Sequence, residues 1–309
     1  MLVSVCIKCY NQERYIRAAL EAAFAQTYNG DMEIIVADDA SSDESAKIIQ
    51  SCISDYRTIG GKRHVVFIRN EKNLGNIGNW QALCKAASGD ILVKMDGDDI
   101  SMPNRVERIV ANWDRNTKCL VHAAETMDLD GNTTGMFEKA DGCFGAGSAY
   151  SRDTFSSFGD VEHAAAADDE VYLWRAKMLG EVKQIDERLV RYRIGSGFSS
   201  ITYDFRRRMY DNYVRTLESR RQTLKDVCRL PEADAQKWRP IVAEAERKEA
   251  AMVLLWSDAP IAQRLRAYAN CERGRIGTKA WAVRLLQILP RRLSDGLVNH
   301  LAAARNRFR

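Results

Sequence analysis

No stretch of this sequence is long and apolar enough to cross a bilayer as a helix. The longest unbroken apolar run, Ala250 to Trp256, is seven residues, against the ~20 a spanning helix needs. The chain enters a strand at once, with no basic segment ahead of a cleavable apolar one, so no secretory leader is expected. The G-x-G-x-x-G loop of a dinucleotide-binding unit is missing after that strand, which argues against NAD. Histidine is scarce, and the four present show no metal-ligand spacing. Internal repeats and low-complexity linkers are also missing.

What remains is an ordinary globular composition, 46% hydrophobic and 28% charged. With 309 residues there is room for one sizeable domain and an appendage. The cysteines (Cys6, Cys9, Cys52, Cys84, Cys119, Cys143, Cys228, Cys271) are scattered, mostly within apolar patterns, as reduced buried thiols are in a cytosolic protein. Cys6-x-x-Cys9 has redox spacing but lies on a strand and its end, whereas a thioredoxin-like pair opens a helix. Net charge is +4, and residues 271–309 hold nine Lys/Arg against two Asp/Glu, so the first 270 residues carry −3.

The chain begins with a nearly continuous apolar strand, Leu2 to Ile7, of the kind found in parallel sheets. Asn11 is placed to cap the helix that follows, where Ile16, Leu20, Ala23 and Phe24 recur at helical spacing. A second strand, Glu33 to Ala37, runs into Asp38-Asp39, and a serine cap opens a helix with Ala46, Ile49 and Ile53. A third strand, Val65 to Ile68, precedes a helix carrying Ile77, Trp80, Cys84 and Ala87. The fourth, Ile91-Leu92-Val93, ends in Asp96-Gly97-Asp98-Asp99. This βαβαβαβ order predicts an α/β protein with a parallel sheet and helices on both faces. Ligands of such sheets sit beyond the carboxyl ends of the strands, where Lys8 to Asn11, Asp38-Asp39 and Asp96 to Asp99 converge.

Three carboxylates within four residues repel one another, and a bound cation relieves that repulsion. Asp96 to Asp99 therefore reads as a hard-oxygen site for Mg²⁺ or Mn²⁺, or else as a solvated acidic turn. After Met102-Pro103 the pattern gives a helix with Val106, Ile109, Val110 and Trp113. A strand, Cys119 to Ala123, a hairpin turning at Asp130-Gly131-Asn132, and a short helix ending near Phe158-Gly159 come next. A second acidic cluster, Asp168-Asp169-Glu170, opens a helix stopped by Gly180 and suits the helix dipole by about 0.3–1 kcal/mol per charge. Arg188 to Arg193 is a strand studded with cations, followed by a glycine-containing segment, Ile194 to Gly197, able to close over an anion. From about residue 203 the pattern is helical, with breaks at Pro231, Pro240, Pro260 and Pro290.

These residues together carry a resemblance. Val3 to Asn11, Ala25-Gln26-Thr27-Tyr28, Glu33 to Asp43, Asn73-Leu74-Gly75, Asp96-Gly97-Asp98-Asp99 and Asp168 to Gly180 are similar, in order and spacing, to the motifs of the family 2 glycosyltransferases. The likeness covers about residues 1–200. It implies a GT-A fold, a Rossmann-like, mainly parallel sheet flanked by helices, with a nucleotide-binding half (1–100), an acceptor-binding half (101–200) and an α-helical C-terminal region (201–309). It also implies non-processive transfer of one sugar from a nucleoside-diphosphate sugar, a UDP-sugar foremost, to a hydroxyl of a glycan or lipid-linked acceptor. Carried over by position, Asp39 would bond the nucleobase with Asp38 supporting its loop. Asp96 would lie by the ribose and diphosphate, Asp98 with Asp96 would hold Mn²⁺ or Mg²⁺, and Asp169 would be the base of an inverting reaction. Cys9, Tyr10, Asn11, Asn73, Gly97, Arg191 and Arg193 would complete the donor side.

The sequence departs from the family pattern at Lys8, where proline is common, and after Arg193, where a histidine is often found. The Gln-x-x-Arg-Trp of processive synthases does not appear. In the tail, Trp281, Leu285, Ile288 and Leu289 recur at helical spacing, interleaved with Lys279, Arg284, Arg291 and Arg292, giving a basic amphipathic helix. Such a helix either lies on an anionic membrane surface, which suits a lipid-linked acceptor, or packs on the catalytic domain or a second subunit as a homodimer contact. No aromatic-basic reader pattern supports nucleic-acid binding. The expected location is cytoplasmic, including the inner face of the membrane. The competing readings are a nucleotidyltransferase on a similar sheet and a non-catalytic module that holds a nucleotide or glycan.

Overall fold

The computed structural model describes residues 1–137, 145–196, 205–260 and 262–264. The chain divides into two compact units, Met1–Ile201 and Thr202–Arg309.

The first unit is built on four parallel strands: β1 (Val3–Cys9), β2 (Met32–Asp38), β3 (His64–Arg69) and β4 (Ile91–Asp96). Helices α1 (Ile16–Phe24), α2 (Ser45–Thr58) and α3 (Gly75–Ala86) connect them. Because side chains alternate across a strand, one apolar run serves two cores. Val5 and Ile7 join Ile16, Leu20, Ile49 and Ile53 on one face, while Cys6 joins Ile77, Trp80 and Leu83 on the other. The expected helices on both faces are therefore present. Cys6 and Cys9 fall in opposite cores, so they cannot act as a redox pair.

After β5 (Ile100–Ser101) and α4 (Arg105–Ala111) come the long strand β6 (Thr117–Met127) and its hairpin partner β7 (Thr133–Phe137). Then follow β8 (Ser148–Ser151), the short α5 (Asp153–Ser156), α6 (Asp168–Leu179) and β9 (Glu181–Arg193). The sheet order is β3-β2-β1-β4-β8-β6-β9-β5, with β7 beside β6. β8 runs antiparallel to both β4 and β6. The strand order reverses between β1 and β4, where Lys8 lies in register with Asp96. A crevice for ligands opens at such a reversal.

Three local expectations need correction. Asn11 does not cap α1, whose N-cap is Tyr15; it adopts φ 51° and accepts hydrogen bonds from Ser42 instead. No serine side chain caps α2, whose N-cap is Glu44. The second unit contains α7 (Phe205–Val227) and α8 (Glu232–Trp256), and α8 continues through Pro240 rather than breaking there. Gly197, Pro290 and the basic segment around Trp281 lie outside the described residues, as do Cys143 and Cys271.

Candidate active site

The Asp96–Asp99 turn is fixed by backbone before any side chain acts. Gly97 N–H donates to the Lys8 carbonyl at 2.8 Å. A Cβ at Gly97 would come within 2.9 Å of that carbonyl and 2.5 Å of Gln12 Oε1. Glycine is required here by close approach rather than by an unusual φ. Asp98 and Asp99 are buried beside it. Burial, and then the charge of Asp96, raises the Asp98 carboxyl above the ordinary range. Burial, then Asp98 and Asp96, pushes Asp99 well above it.

A buried polar cluster lies under this turn. Lys8 Nζ stands 3.0 Å from Asp96 Oδ1 and 3.4 Å from Asp168 Oδ2, and donates to Asn76 Oδ1 at 2.5 Å. Lys94 Nζ is 2.5 Å from Asp168 Oδ2. Asn76 Nδ2 and the Asp169 backbone N–H donate to Asp168 Oδ1. Burial alone would raise the Asp168 carboxyl, but Lys8 and Lys94 outweigh it and hold the group below the ordinary range. The two halves of the acidic cluster thus differ. Asp168 is buried and pins the start of α6 to the sheet, whereas Asp169 is half-buried in the first turn.

At the end of β2, the Asp39 carboxylate accepts from Asn70 Nδ2 (2.8 Å), Leu74 N–H (2.8 Å) and Gly75 N–H (2.9 Å). It thereby organises the loop before α3, in which Asn73 Oδ1 also accepts from Gly75 N–H. Asp38 Oδ2 accepts from Ser41 N–H and faces Arg69 at 3.8 Å. Cys9 turns its thiol into the core, where burial raises it to about 12, and its carbonyl accepts from Asp39 N–H. Tyr10 is exposed and Asn11 is exposed beside it at the end of β1.

Arg193 closes the other side. Its backbone N–H donates to Asp99 Oδ1 (2.8 Å), its Nε to the Asp98 carbonyl (2.9 Å), and its guanidinium lies over the Tyr15 ring at 4.3 Å. Arg191 pairs with Glu125 at 3.0 Å and donates to the Gly131 carbonyl, so its fork is engaged in the β6–β7 hairpin. Ser196 Oγ donates to Asp98 Oδ2 at 2.6 Å. The structure brings Asp38, Asp39, Asp96, Asp98 and Arg193 to neighbouring strand ends and sets Arg191 toward the hairpin. Asn76, Lys94 and Tyr15 were missed by sequence reasoning, and Ser196 was marked only as part of the Ile194 to Gly197 segment. Lys94 left a signal, since a lysine inside a buried apolar strand needs an anion nearby.

Among the described residues, no group of three or more His, Cys, Asp or Glu side chains forms a metal cage. Asp98, with Asp96, still fits an ion of the Mg²⁺ or Mn²⁺ kind, which commonly takes one or two carboxylates and completes its shell with substrate phosphates. Burial first, and then the neighbouring carboxylates, raise Asp98 and Asp99, and a cation beside them would favour their charged forms.

Residues 4–155 match the family described as Glycosyl transferase family 2. Over these residues, about half of the chain, the protein is similar to that family. An uncharacterized glycosyltransferase of Nostoc sp. is 32% identical over 133 residues, 43% of this chain and 38% of its own length. The putative glycosyltransferase EpsE of Bacillus subtilis is 32% identical over 35% of this chain and 37% of its own. The match therefore spans under two-fifths of these curated relatives. EpsH, also from Bacillus subtilis, is 26% identical over 74% of this chain and 71% of its length. In structure, the fold resembles S. aureus TarS in complex with UDP-GlcNAc (TM-score 0.57, 17% identity, 95% of this chain and 83% of that one). It also resembles the mannosyltransferase PcManGT of Pyrobaculum calidifontis in complex with GDP-Man and Mn²⁺ (TM-score 0.59, 13% identity, 96% and 86%). At these identities the likeness is one of fold, the GT-A architecture.

Proposed function

We propose that the protein transfers one sugar from a nucleoside-diphosphate sugar, a UDP-sugar foremost, to a hydroxyl of a glycan or lipid-linked acceptor, inverting the anomeric carbon with Mn²⁺ or Mg²⁺ bound. The observation that carries this reading is the gathering of Asp38, Asp39, Asp96 and Asp98 at adjoining strand ends of a family 2 domain. Asp39 and Asp38 hold the loop on the nucleobase side, beside Cys9, Tyr10, Asn11 and Asn73. Asp96 faces the ribose and diphosphate. Asp98, with Asp96, would hold the ion, whose charge offsets that developing on the leaving diphosphate. Arg193 keeps the Asp96–Asp99 turn in place, and Arg191 braces the hairpin beside it.

An acceptor hydroxyl has a pKa far above 7, so its proton must leave during attack. Asp169 takes that proton as the acceptor oxygen bonds to the anomeric carbon. The bond from that carbon to the diphosphate oxygen breaks, and its electron pair leaves with the diphosphate. One base and one displacement give inversion.

The test is consumption of a panel of sugar nucleotides with Mn²⁺, read as nucleoside diphosphate released, with the product's anomeric configuration read by NMR. Asp169→Asn should lower kcat by about 10²–10⁴ while leaving donor affinity in place. No consumption of any sugar nucleotide by a protein that binds none would refute the reading.

A further inference from the structure

Lys8 is 9% exposed and enters the site from the end of β1. Its register partner across the strand reversal is Asp96, and its Nζ lies nearer Asp96 (3.0 Å) than Asp168 (3.4 Å). Asp168 shares this ammonium, but it also has partners of its own in Lys94 Nζ, Asn76 Nδ2 and the Asp169 N–H. Asn76 Oδ1 holds the ammonium at 2.5 Å, which fixes it in place rather than leaving it to wander as a surface lysine would. The carboxylate proposed for the diphosphate side therefore already has a positive charge against it.

We propose that Lys8 is a resident cation of the donor site: in the nucleotide-free protein its ammonium occupies Asp96, so a divalent ion binds weakly until a nucleoside diphosphate brings further oxygens and negative charge. The proposal rests on the transferase reading for the identity of the nucleotide. A dication next to a fixed ammonium is repelled, while a diphosphate attracts both. Ion and donor then enter together, and Lys8 sets that order as a positioning residue.

The experiment is Mn²⁺ titration followed by EPR, without nucleotide and with saturating UDP, corrected for Mn²⁺ bound by free UDP. The wild-type protein should bind Mn²⁺ at least about tenfold more weakly without UDP than with it. Lys8→Met should tighten nucleotide-free binding about tenfold, equivalent to about 1.4 kcal/mol, and Lys8→Arg should behave as wild type. A purely structural lysine would not produce tighter metal binding on its removal. Unchanged or weaker nucleotide-free binding in a Lys8→Met protein with a wild-type melting temperature overturns the proposal. If that variant does not fold, the wild type decides: equal Mn²⁺ affinity with and without UDP overturns it. A protein that binds no UDP refutes the choice of uridine, and one that binds none of the nucleoside diphosphates refutes the donor-site reading instead; the nucleotide-free comparison still measures the effect of Lys8 on the ion.

Discussion

Asp168 and Asp169 are neighbours in the chain with opposite surroundings. Asp168 is buried between two ammonium groups, and removing one partner of a buried ion pair costs about 3–5 kcal/mol. Asp168→Asn should therefore destabilise the protein by that order at pH 7, measured by urea denaturation. Its folded pKa lies below the unfolded value, so the stabilisation is present above the ordinary carboxylate value of about 3.9 and is lost as pH falls through the lower folded value. The gap between variant and wild type should close in acid. Gly97→Ala should cost about 1–3 kcal/mol, because its Cβ meets the Lys8 backbone carbonyl at 2.9 Å. A melting curve unchanged from wild type would contradict that close approach. The sequence displayed both acidic residues and the glycine. It did not display that Lys8 and Lys94, from separate strands, meet one carboxylate, because that meeting depends on strand register.

At the scale of elements, the four parallel strands were legible as short apolar runs bounded by turns. β9 was legible only in part, as Arg188 to Arg193, whereas it begins at Glu181. Its first half mixes charged residues with partly exposed ones, and its pairing with β6 shifts register, so no apolar pattern marks it. α4 owes its place to a buried arginine. Arg105 donates to His122 Nε2, Ser101 Oγ and the carbonyls of Lys94 and Ala146, joining α4 to β4, β5 and β6. Burial lowers this guanidinium to about 10. Arg105→Ala should cost about 3 kcal/mol or more, and Arg105→Lys should fail to restore it, because an ammonium cannot reproduce the planar fork. Denaturant midpoints check both, and full rescue by lysine would contradict this role for the fork.

Across the whole molecule, the sheet with its strand reversal brings acidic strand ends side by side, and the family match covers that part of the chain. No described helix is long and apolar enough to cross a membrane. The fold class was readable because a βαβ rhythm has few solutions. The acceptor side was not, since its chemistry depends on loop shape rather than on a repeating pattern. The most direct measurement of the central claim is the melting temperature against a panel of nucleoside diphosphates, with Mn²⁺ and then with excess chelator. At about a hundredfold excess over Kd, a ligand that binds only the folded state contributes about 2.7 kcal/mol, a rise of ~5 °C or more for a domain of this size. Such a rise is expected with one base, reversed by chelator and lost in Asp98→Ala. No shift with any nucleoside diphosphate would contradict a donor site at these strand ends.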